Sequence, residues 1–328
     1  MMVVILTMVW LALLTLTYNL KYMSIARRLF SMDGGGKRPF VFTIEISSTN
    51  TEFGLPINNN FGINPSIRVD WGDGSSLITI SSKNSNNRIH TYTNPGTYTI
   101  SIEGNLPYFR VDNDVYKELY KSVEDWGEVQ FEFIDFYGCY NLDRLPTNSN
   151  NEAINHDGLH TVKNFNSTFR QTGIAFIPRG IFDYSTEATS FIDTFLFCFI
   201  QSIPAKLFYQ NAKVTNFSGT FNGCVEITNI PSGLFDNNIE VKFFDSVFRN
   251  CRGILFIPNG LFTYNTKVIS FANAFNMGST SNVLVGTTPQ DDNGNEIWER
   301  INPIPYGSNC FAFCINLTNY SSIPNNFK

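Results

Sequence analysis

The feature that most constrains this chain is a repeat, which is clearest in the segment FSGTFNGCVEITNIPSGLFDNNIEV at 217–241. Copies of the segment recur on both sides of it at a step of 26 or 27 residues. Each copy carries two phenylalanines four residues apart, at Phe165/Phe169, Phe191/Phe195, Phe217/Phe221, Phe244/Phe248 and Phe271/Phe275. Repeats of this length are typical of solenoids, in which each unit packs only on its neighbours.

The spacing inside one unit predicts which side chains face the core. Two phenylalanines four residues apart lie on the same face of a helical turn, so both are expected to point inward. The run from Ile227 to Ile230 alternates like a strand, and Pro231 ends its hydrogen bonding. Gly233 then supplies a position that is free to take positive φ, although Lys206 replaces this glycine in the preceding unit. Stacked units are therefore expected to bury Phe on Phe and Ile on Ile in continuous columns.

Cysteines follow the same period. Five of the six recur at one repeat position, namely Cys139, Cys198, Cys224, Cys251 and Cys314. Only Cys310 stands outside it, and Thr172 replaces the cysteine in the first clear unit. This pattern predicts a buried column of reduced thiols that behave as small apolar groups, and no disulfide framework. We expect a thiol reagent to label at most Cys310 quickly.

Charge and motifs argue against nucleic-acid binding and catalysis. Only 16% of the residues are charged and the net charge is -5, so a basic nucleic-acid footprint is absent. The sequence contains no nucleophile elbow, no paired acid/base motif and no Cys/His metal spacing, so we predict neither an enzyme nor a cofactor. Asp70, Asp73 and His90 are expected to be structural members of a turn. Residues 291–296 are expected to form a surface turn, with a weak calcium site as the alternative.

The N-terminal residues allow three interpretations. Residues 1–22 form a hydrophobic segment, in which the run 3–20 carries no charge and basic residues follow. This run is a membrane segment that anchors the chain, or a mis-assigned start upstream of Met23, or a signal peptide. The signal-peptide interpretation lacks a preceding basic residue and a clear small-residue cleavage site. Residues 23–39 contain three consecutive glycines and are predicted to be a flexible linker.

Residues 40–105 change to short alternating strands separated by Asn, Gly and Ser turns, a pattern that predicts a β-sandwich. The motif DWGDGS at 70–75, followed by HTY at 90–92 and PGTYTI at 95–100, resembles the polycystic-kidney-disease (PKD) family of immunoglobulin-like domains. This resemblance implies an extracellular spacer or a module that contacts carbohydrate or protein. Residues 106–130 are predicted to be a connector, with a short helix over 115–123 that caps the repeats.

The remaining residues, 131–328, carry the repeats. The motif CVEITNIP at 224–231 resembles the BspA-like leucine-rich repeats of bacterial surface proteins. That resemblance implies adhesion to host proteins or to other cells, and related repeats occur on phage fibres. An insertion at 277–306 is expected to interrupt the last unit. The predicted fold is thus mainly β, with an immunoglobulin-like β-sandwich followed by a leucine-rich-repeat solenoid of 26–27-residue units.

The repeats also suggest where a partner binds. If strands of successive units lie side by side, the polar residues that interrupt them project together from one face. The insertion adds two aromatic residues, which are either anchors for a protein or glycan or, in the case of Trp298, a plug for a defect in the stack. The candidate ligand-contacting residues are Glu226, Thr228, Asn229, Arg252, Trp298 and Tyr306.

These observations predict a non-enzymatic binding or adhesion protein at the cell surface or outside the cell. Its expected partner is a host or bacterial surface protein or glycan. The alternative is a structural component of a phage virion, such as a fibre or a capsid decoration. The sequence stops at 325–328 in the middle of a unit, which indicates either a truncated gene or a solenoid that ends without a cap. An uncapped end is expected to promote pairing with another chain.

Overall fold

The computed structural model of the chain describes residues 37–57, 64–111, 114–279, 283–300 and 302–328. These residues are mainly β, as the sequence predicts. Their strands are β1 Phe40–Ile46, β2 Thr51–Gly54, β3 Ser66–Asp70, β4 Ile78–Ile80, β5 Ile89–Tyr92, β6 Gly96–Asn105, β7 Tyr108–Arg110, β8 Tyr120–Asp125 and β9 Phe133–Asp135. Single-turn 3-10 helices occur at Asn86–Arg88, Lys117–Leu119, Asp157–Leu159, Ile297–Glu299, Tyr320–Ser322 and Asn325–Phe327.

Within the described ranges, no helix has the length and apolar character needed to cross a membrane. The hydrophobic segment predicted at 1–22 and most of the predicted linker lie outside these ranges.

The N-terminal half of the fold is built on one antiparallel sheet of five strands in the order β4-β3-β6-β1-β8. Two further pairs accompany it, antiparallel β2-β5 and parallel β7-β9. Alternate residues of a strand point to the same side, so Phe40 and Phe42 of β1 share one face. The Phe42 ring lies 6.2 Å from Phe53 of β2 and 5.7 Å from Phe109 of β7. Both smaller pairs therefore pack over the same face of the main sheet.

The helix predicted over 115–123 is not present. Lys117–Leu119 form a single 3-10 turn, and Tyr120–Asp125 form β8, which pairs antiparallel with β1. Pairing satisfies the backbone groups at the edge of β1, and it buries Tyr120 with its ring 5.5 Å from Phe42. This gain outweighs the local helix propensity of the segment.

The second edge of β8 carries the first repeat. The Val123 amide donates to the Arg144 carbonyl at 3.0 Å, and the Asp143 amide donates to the Lys121 carbonyl at 3.1 Å. Residue Ser122 forms a parallel bridge with Arg144. Strand β8 is therefore both the last strand of the sheet and the first rung of the stack, and one continuous core runs through both.

The repeats stack with their phenylalanines in register, which confirms the predicted columns. Phe221 lies 5.7 Å from Phe195 and 5.5 Å from Phe248, with interplanar angles of 8° and 4°. Three such columns run through the stack, formed by Phe165, Phe191, Phe217, Phe244 and Phe271, by Phe136, Phe169, Phe195, Phe221, Phe248, Phe275 and Phe311, and by Phe182, Phe208, Phe235 and Phe262.

The local structure of a unit differs from the prediction. The two phenylalanines sit in consecutive turns, not in a helical turn, and no strand is assigned to the described residues beyond β9. The residue two positions after the phenylalanine is left-handed in every one of these pairs except at Phe275, as at Gly219 (φ 67°) and Gly223 (φ 76°). The amides of Phe217 and Phe221 donate to carbonyls of the next unit, each at 3.0 Å. Isolated parallel bridges of this kind replace the expected strands.

A ladder of buried asparagines runs beside the third phenylalanine column. The Asn238 side-chain amide donates to the carbonyls of Phe208 at 3.0 Å and Asn211 at 2.9 Å. Asn265 repeats this arrangement on the next unit, with both distances at 3.0 Å. Each of these carbonyls also accepts a backbone amide of its own turn, so the ladder adds a second hydrogen bond that links neighbouring units inside the stack.

The insertion predicted at 277–306 does not interrupt the stack, because its described part continues the repeat. The Val285 amide donates to the Leu255 carbonyl at 2.8 Å, and Arg300 donates to the carbonyls of Asn265 (2.9 Å) and Phe262 (2.6 Å). Arg300 thereby takes the place of the next asparagine in the ladder. A longer loop around residues 291–295 accommodates the extra length of this unit.

The C-terminal end of the stack is covered, contrary to the uncapped end that the sequence predicts. Gly307 takes the position of the first phenylalanine, and a Cβ there would overlap the ring of Phe327. The Phe311 amide donates to the Phe327 carbonyl at 2.8 Å, and Ile323 is buried beside them. Two 3-10 turns thus bring apolar side chains back over the last rung.

Candidate functional site

One surface of the stack collects most of the predicted site residues. We name it the Ile-Pro face, because in each unit it lies between the cysteine position and the Ile-Pro dipeptide or its equivalent. The Gln201 amide donates to the Ala175 carbonyl at 3.0 Å, and the Leu255 amide donates to the Thr228 carbonyl at 3.1 Å. Successive units therefore lie side by side here. The face comprises residues 173–176, 199–202, 225–229, 252–256, 283–287 and 315–318.

The Ile-Pro face exposes large apolar side chains as well as polar ones. Core isoleucines such as Ile254 and Ile257 point inward, so the two residues between them, Leu255 and Phe256, are directed to solvent. The equivalent segments of the other units behave in the same way. The exposed apolar residues of the face are Phe176, Phe199, Val225, Leu255, Phe256, Val283, Val285 and Ile315.

Four of the six predicted site residues lie on this face. Glu226, Thr228 and Asn229 are exposed, and the Asn229 side-chain amide donates to the Thr228 hydroxyl at 3.2 Å. Glu226 forms no ion pair with any residue that the structure describes. Arg252 is fixed to the next unit, because its Nε donates to the Met277 carbonyl at 3.1 Å. The first three are therefore free to meet a partner, whereas Arg252 also ties two units together.

Trp298 is partly buried and packs against the core of the stack. Its ring packs 6.1 Å from Phe311 and 6.0 Å from Phe327 in edge-on geometry. This contact reproduces the one between Phe262 and Phe275, at 6.2 Å, in the preceding unit. Trp298 thus continues the third aromatic column, which agrees with the second of the two interpretations, a residue that completes the stack.

Tyr306 lies on a different ladder from the Ile-Pro face. It forms a parallel bridge with Ser270, and its amide donates to the Ile269 carbonyl at 2.9 Å. Equivalent parallel bridges link the residues that precede the first phenylalanine of each unit, namely Asn164, Ser190, Asn216, Phe243 and Ser270. The Tyr306 side chain is exposed, but the structure does not bring it together with the other candidates.

Sequence reasoning missed the apolar members of the Ile-Pro face. The sequence predicts ligand contacts at the polar residues that interrupt the apolar run. It predicts none at Phe176, Leu255 and Phe256. A signal was present, because each of these residues lies between two isoleucines whose inward direction the repeat already determines. A residue between two core positions is directed outward whatever its polarity.

Asp70, Asp73 and His90 form a structural turn in the sheet. Asp70 accepts from the Gly72 amide at 3.0 Å, and Asp73 accepts from the Ser75 amide at 2.9 Å and contacts His90 Nε2 at 2.7 Å. Burial acts to raise the pKa of Asp73, but hydrogen bonds from Ser75 and His90 outweigh it and lower the pKa. The His90 ring stacks on Trp71 at 4.9 Å. This geometry is that of the expected turn.

The segment at 291–296 forms a turn stabilised by its own aspartate. Asp291 Oδ1 accepts from the amides of Asn293 at 2.8 Å and Asn295 at 2.9 Å, and Oδ2 accepts from the Asn295 side chain at 3.1 Å. These hydrogen bonds lower the pKa of Asp291, with the Asn295 side chain as the largest cause. No group of three His, Cys, Asp or Glu residues in the described ranges is arranged to hold a metal ion.

All six cysteines are free and buried. The Cys224 thiol donates to the Phe195 carbonyl of the preceding unit at 3.0 Å, and Cys251 repeats this contact with Phe221 at 2.9 Å. Burial raises the pKa of Cys198 to about 11. Cys310 is also 0% exposed, at a core position three residues after Gly307. The column is packed inside the stack.

Comparison with known proteins adds no family to this description. The chain matches no model of a known protein family, and no curated protein matches it.

Proposed function

We propose that this chain is a non-enzymatic binding protein that presents the Ile-Pro face to a protein partner on a cell surface. The observation that supports this proposal is the row of exposed Phe, Leu, Val and Ile side chains along consecutive units. Contiguous apolar surface of this kind marks interaction sites in soluble proteins. Exposed Glu226, Thr228 and Asn229 between the apolar residues supply polar contacts that set specificity.

A protein suits this face better than a glycan. Five of its eight exposed apolar residues are branched aliphatics such as Val225, Leu255 and Val285, which offer no ring face to a sugar but pack well against apolar side chains. The face continues over several units, and stacked repeats bind extended partners on surfaces of this kind.

The proposal includes a fold assignment. We propose that the five-stranded sheet with its two accompanying pairs is an immunoglobulin-like sandwich of the PKD type. The stack would then be a leucine-rich-repeat solenoid of the BspA-like kind. The phenylalanine columns, the cysteine column and the parallel bridges between units support the second assignment. Both assignments favour a surface or extracellular location.

The test uses the full-length chain with a fluorescent label and intact cultured epithelial cells and bacterial cells. The double variant Leu255→Ser with Phe256→Ser removes the centre of the Ile-Pro face without touching the core. We expect flow cytometry to show binding by the wild type that is lost when the cells are treated with protease. The double variant should lose about tenfold or more of this affinity, because apolar anchors dominate protein interfaces.

The matched control is Ile239→Ser, which removes an equally exposed apolar side chain next to the asparagine ladder and outside the Ile-Pro face. This variant should bind as the wild type does. Equal binding by the double variant and the wild type would contradict the proposal. Concentration-dependent self-association that the double variant abolishes would favour the alternative, a structural component of a virion.

A further inference from the structure

An open cleft of about 460 Å³ lies where the N-terminal sheet meets the first repeats, away from the Ile-Pro face. Its volume is within the range of small-molecule sites. The cleft is formed by the loop after β8, the 3-10 turn at Asp157–Leu159 and the first full unit. The lining residues are Lys37, Glu128, Gln130, Asp157, His160 and Tyr184.

Tyr184 provides a fixed aromatic surface in this cleft. One side of its ring stacks on His156, with centroids 4.3 Å apart and an interplanar angle of 11°. His156 is only 8% exposed, and neither of its ring nitrogens has a hydrogen-bond partner among the described residues. The stack holds the tyrosine ring in place, while the side chain remains 52% exposed and lines the cleft.

The polar groups around the ring are also held in place. Arg38 forms ion pairs with Asp157, with Glu128 at 3.4 Å and with buried Asp125 at 3.1 Å. His160 Nδ1 contacts the Asp157 carbonyl at 2.6 Å, which leaves Nε2 available on the other side of the ring. Positive and negative charges therefore alternate around the cleft and largely cancel.

This combination identifies a chemical class of ligand. A sugar ring presents C–H groups on one face, which suit an aromatic ring, and hydroxyl groups at its edge, which suit carboxylates and amides as hydrogen-bond partners. A strongly anionic ligand would meet Glu128 and Asp157, and a cation would meet Lys37. We infer that the cleft binds a neutral saccharide, with Tyr184 as the stacking platform and Glu128, Gln130 and Asp157 as hydroxyl partners.

The experiment is saturation-transfer NMR and isothermal titration on the full-length chain. The probes are glucose, galactose, N-acetylglucosamine, lactose and chitobiose, with a sialylated sugar and inorganic phosphate as charged comparisons. We expect saturation of ring protons in at least one neutral sugar, and no binding of phosphate. Tyr184→Ala should weaken the affinity by about tenfold or more, because it removes the stacking surface.

Tyr264→Ala is the matched control, because Tyr264 has the same position in a later unit and is 51% exposed but lies outside the cleft. It should bind sugar as the wild type does, and Tyr184→Phe should also retain binding because the ring remains. If Tyr184→Ala fails to fold, Gln130→Ala replaces it, with the same loss expected. Absence of binding to every neutral sugar, preference for phosphate, or equal loss in Tyr264→Ala would overturn the inference, and none of these results bears on the Ile-Pro face.

Discussion

In the N-terminal sheet, Phe42 contacts three rings from three other segments, those of Phe53, Phe109 and Tyr120, at interplanar angles of 53°, 65° and 30°. In the repeats, Phe221 lies between the equivalent phenylalanines of the two adjacent units, Phe195 and Phe248, at interplanar angles of 8° and 4°. The core of the sheet forms only when distant segments of unlike sequence come together. The core of each repeat forms when the unit packs on the next unit. Stability in the stack is therefore shared among equivalent interfaces, and a defect acts mainly on its neighbours.

The largest expected effect comes from removing one ring of a column. Phe221→Ala should lower the free energy of unfolding by about 3 to 5 kcal/mol, because it leaves a cavity between two stacked rings. Urea unfolding measures the change. Combination with Phe248→Ala, which removes a ring in contact with it, should be non-additive, whereas combination with Phe165→Ala should be close to additive. Wild-type stability of Phe221→Ala would show that the column is not core.

A smaller loss is expected when the asparagine ladder is broken. Asn238→Ala removes the side-chain donor to the buried carbonyls of Phe208 and Asn211, each of which keeps a backbone amide donor. We expect a loss of about 1 to 3 kcal/mol, since each of the two buried hydrogen bonds contributes about 0.5 to 1.5 kcal/mol. Asn229→Ala is the control, because this asparagine is exposed on the Ile-Pro face, and surface substitutions usually change stability by less than about 0.5 kcal/mol. Equal effects would refute the role of the ladder.

Restoring the repeat at one irregular position should stabilise the stack slightly. Lys206 has a φ of 60°, whereas the equivalent position in the next unit is Gly233 with a φ of 70°. Lys206→Gly should raise the melting temperature and add about 1 kcal/mol, because it relieves left-handed strain. The substitution also removes the cation–π contact between the Lys206 ammonium and the Tyr209 ring, which are 5.3 Å apart, and this loss reduces the gain in stability. Gly233→Ala should have the opposite sign, and a stabilising Gly233→Ala would contradict this account.

The smallest effect concerns pH at the junction of the two regions. Burial, with a further contribution from Arg38, lowers the pKa of His156 in the folded chain. The unfolded state therefore binds more protons, so stability is present at neutral pH and is lost as pH falls below the unfolded value of about 6.5. Denaturant midpoints measured between pH 7.5 and pH 5.5, a range set around that value, should decline. His156→Gln should flatten the decline, and an undiminished decline in this variant would contradict the account.

The periodic part of this protein follows from its amino-acid sequence alone. The step between phenylalanines fixes which rings meet, because identical units that stack must place identical residues over one another. The columns through Phe221 and Cys224 follow from this rule, and so does the outward direction of Thr228 and Asn229. The mainly β character also follows, since the strands of the sheet alternate in the sequence.

The other parts, in which distant or unlike residues replace a member of the pattern, depend on packing between segments that are far apart in the sequence. Strand β8 forms because β1 offers it an open edge, although its own sequence favours a helix. Trp298 and Arg300 take the places of a phenylalanine and an asparagine, and Phe327 fills the space left by Gly307. In each case the side chain differs from the one it replaces while the space and the hydrogen-bond partners are the same. The type of residue in the sequence does not reveal this equivalence. Packing requires only that a side chain have the right shape and polarity for the space that it fills.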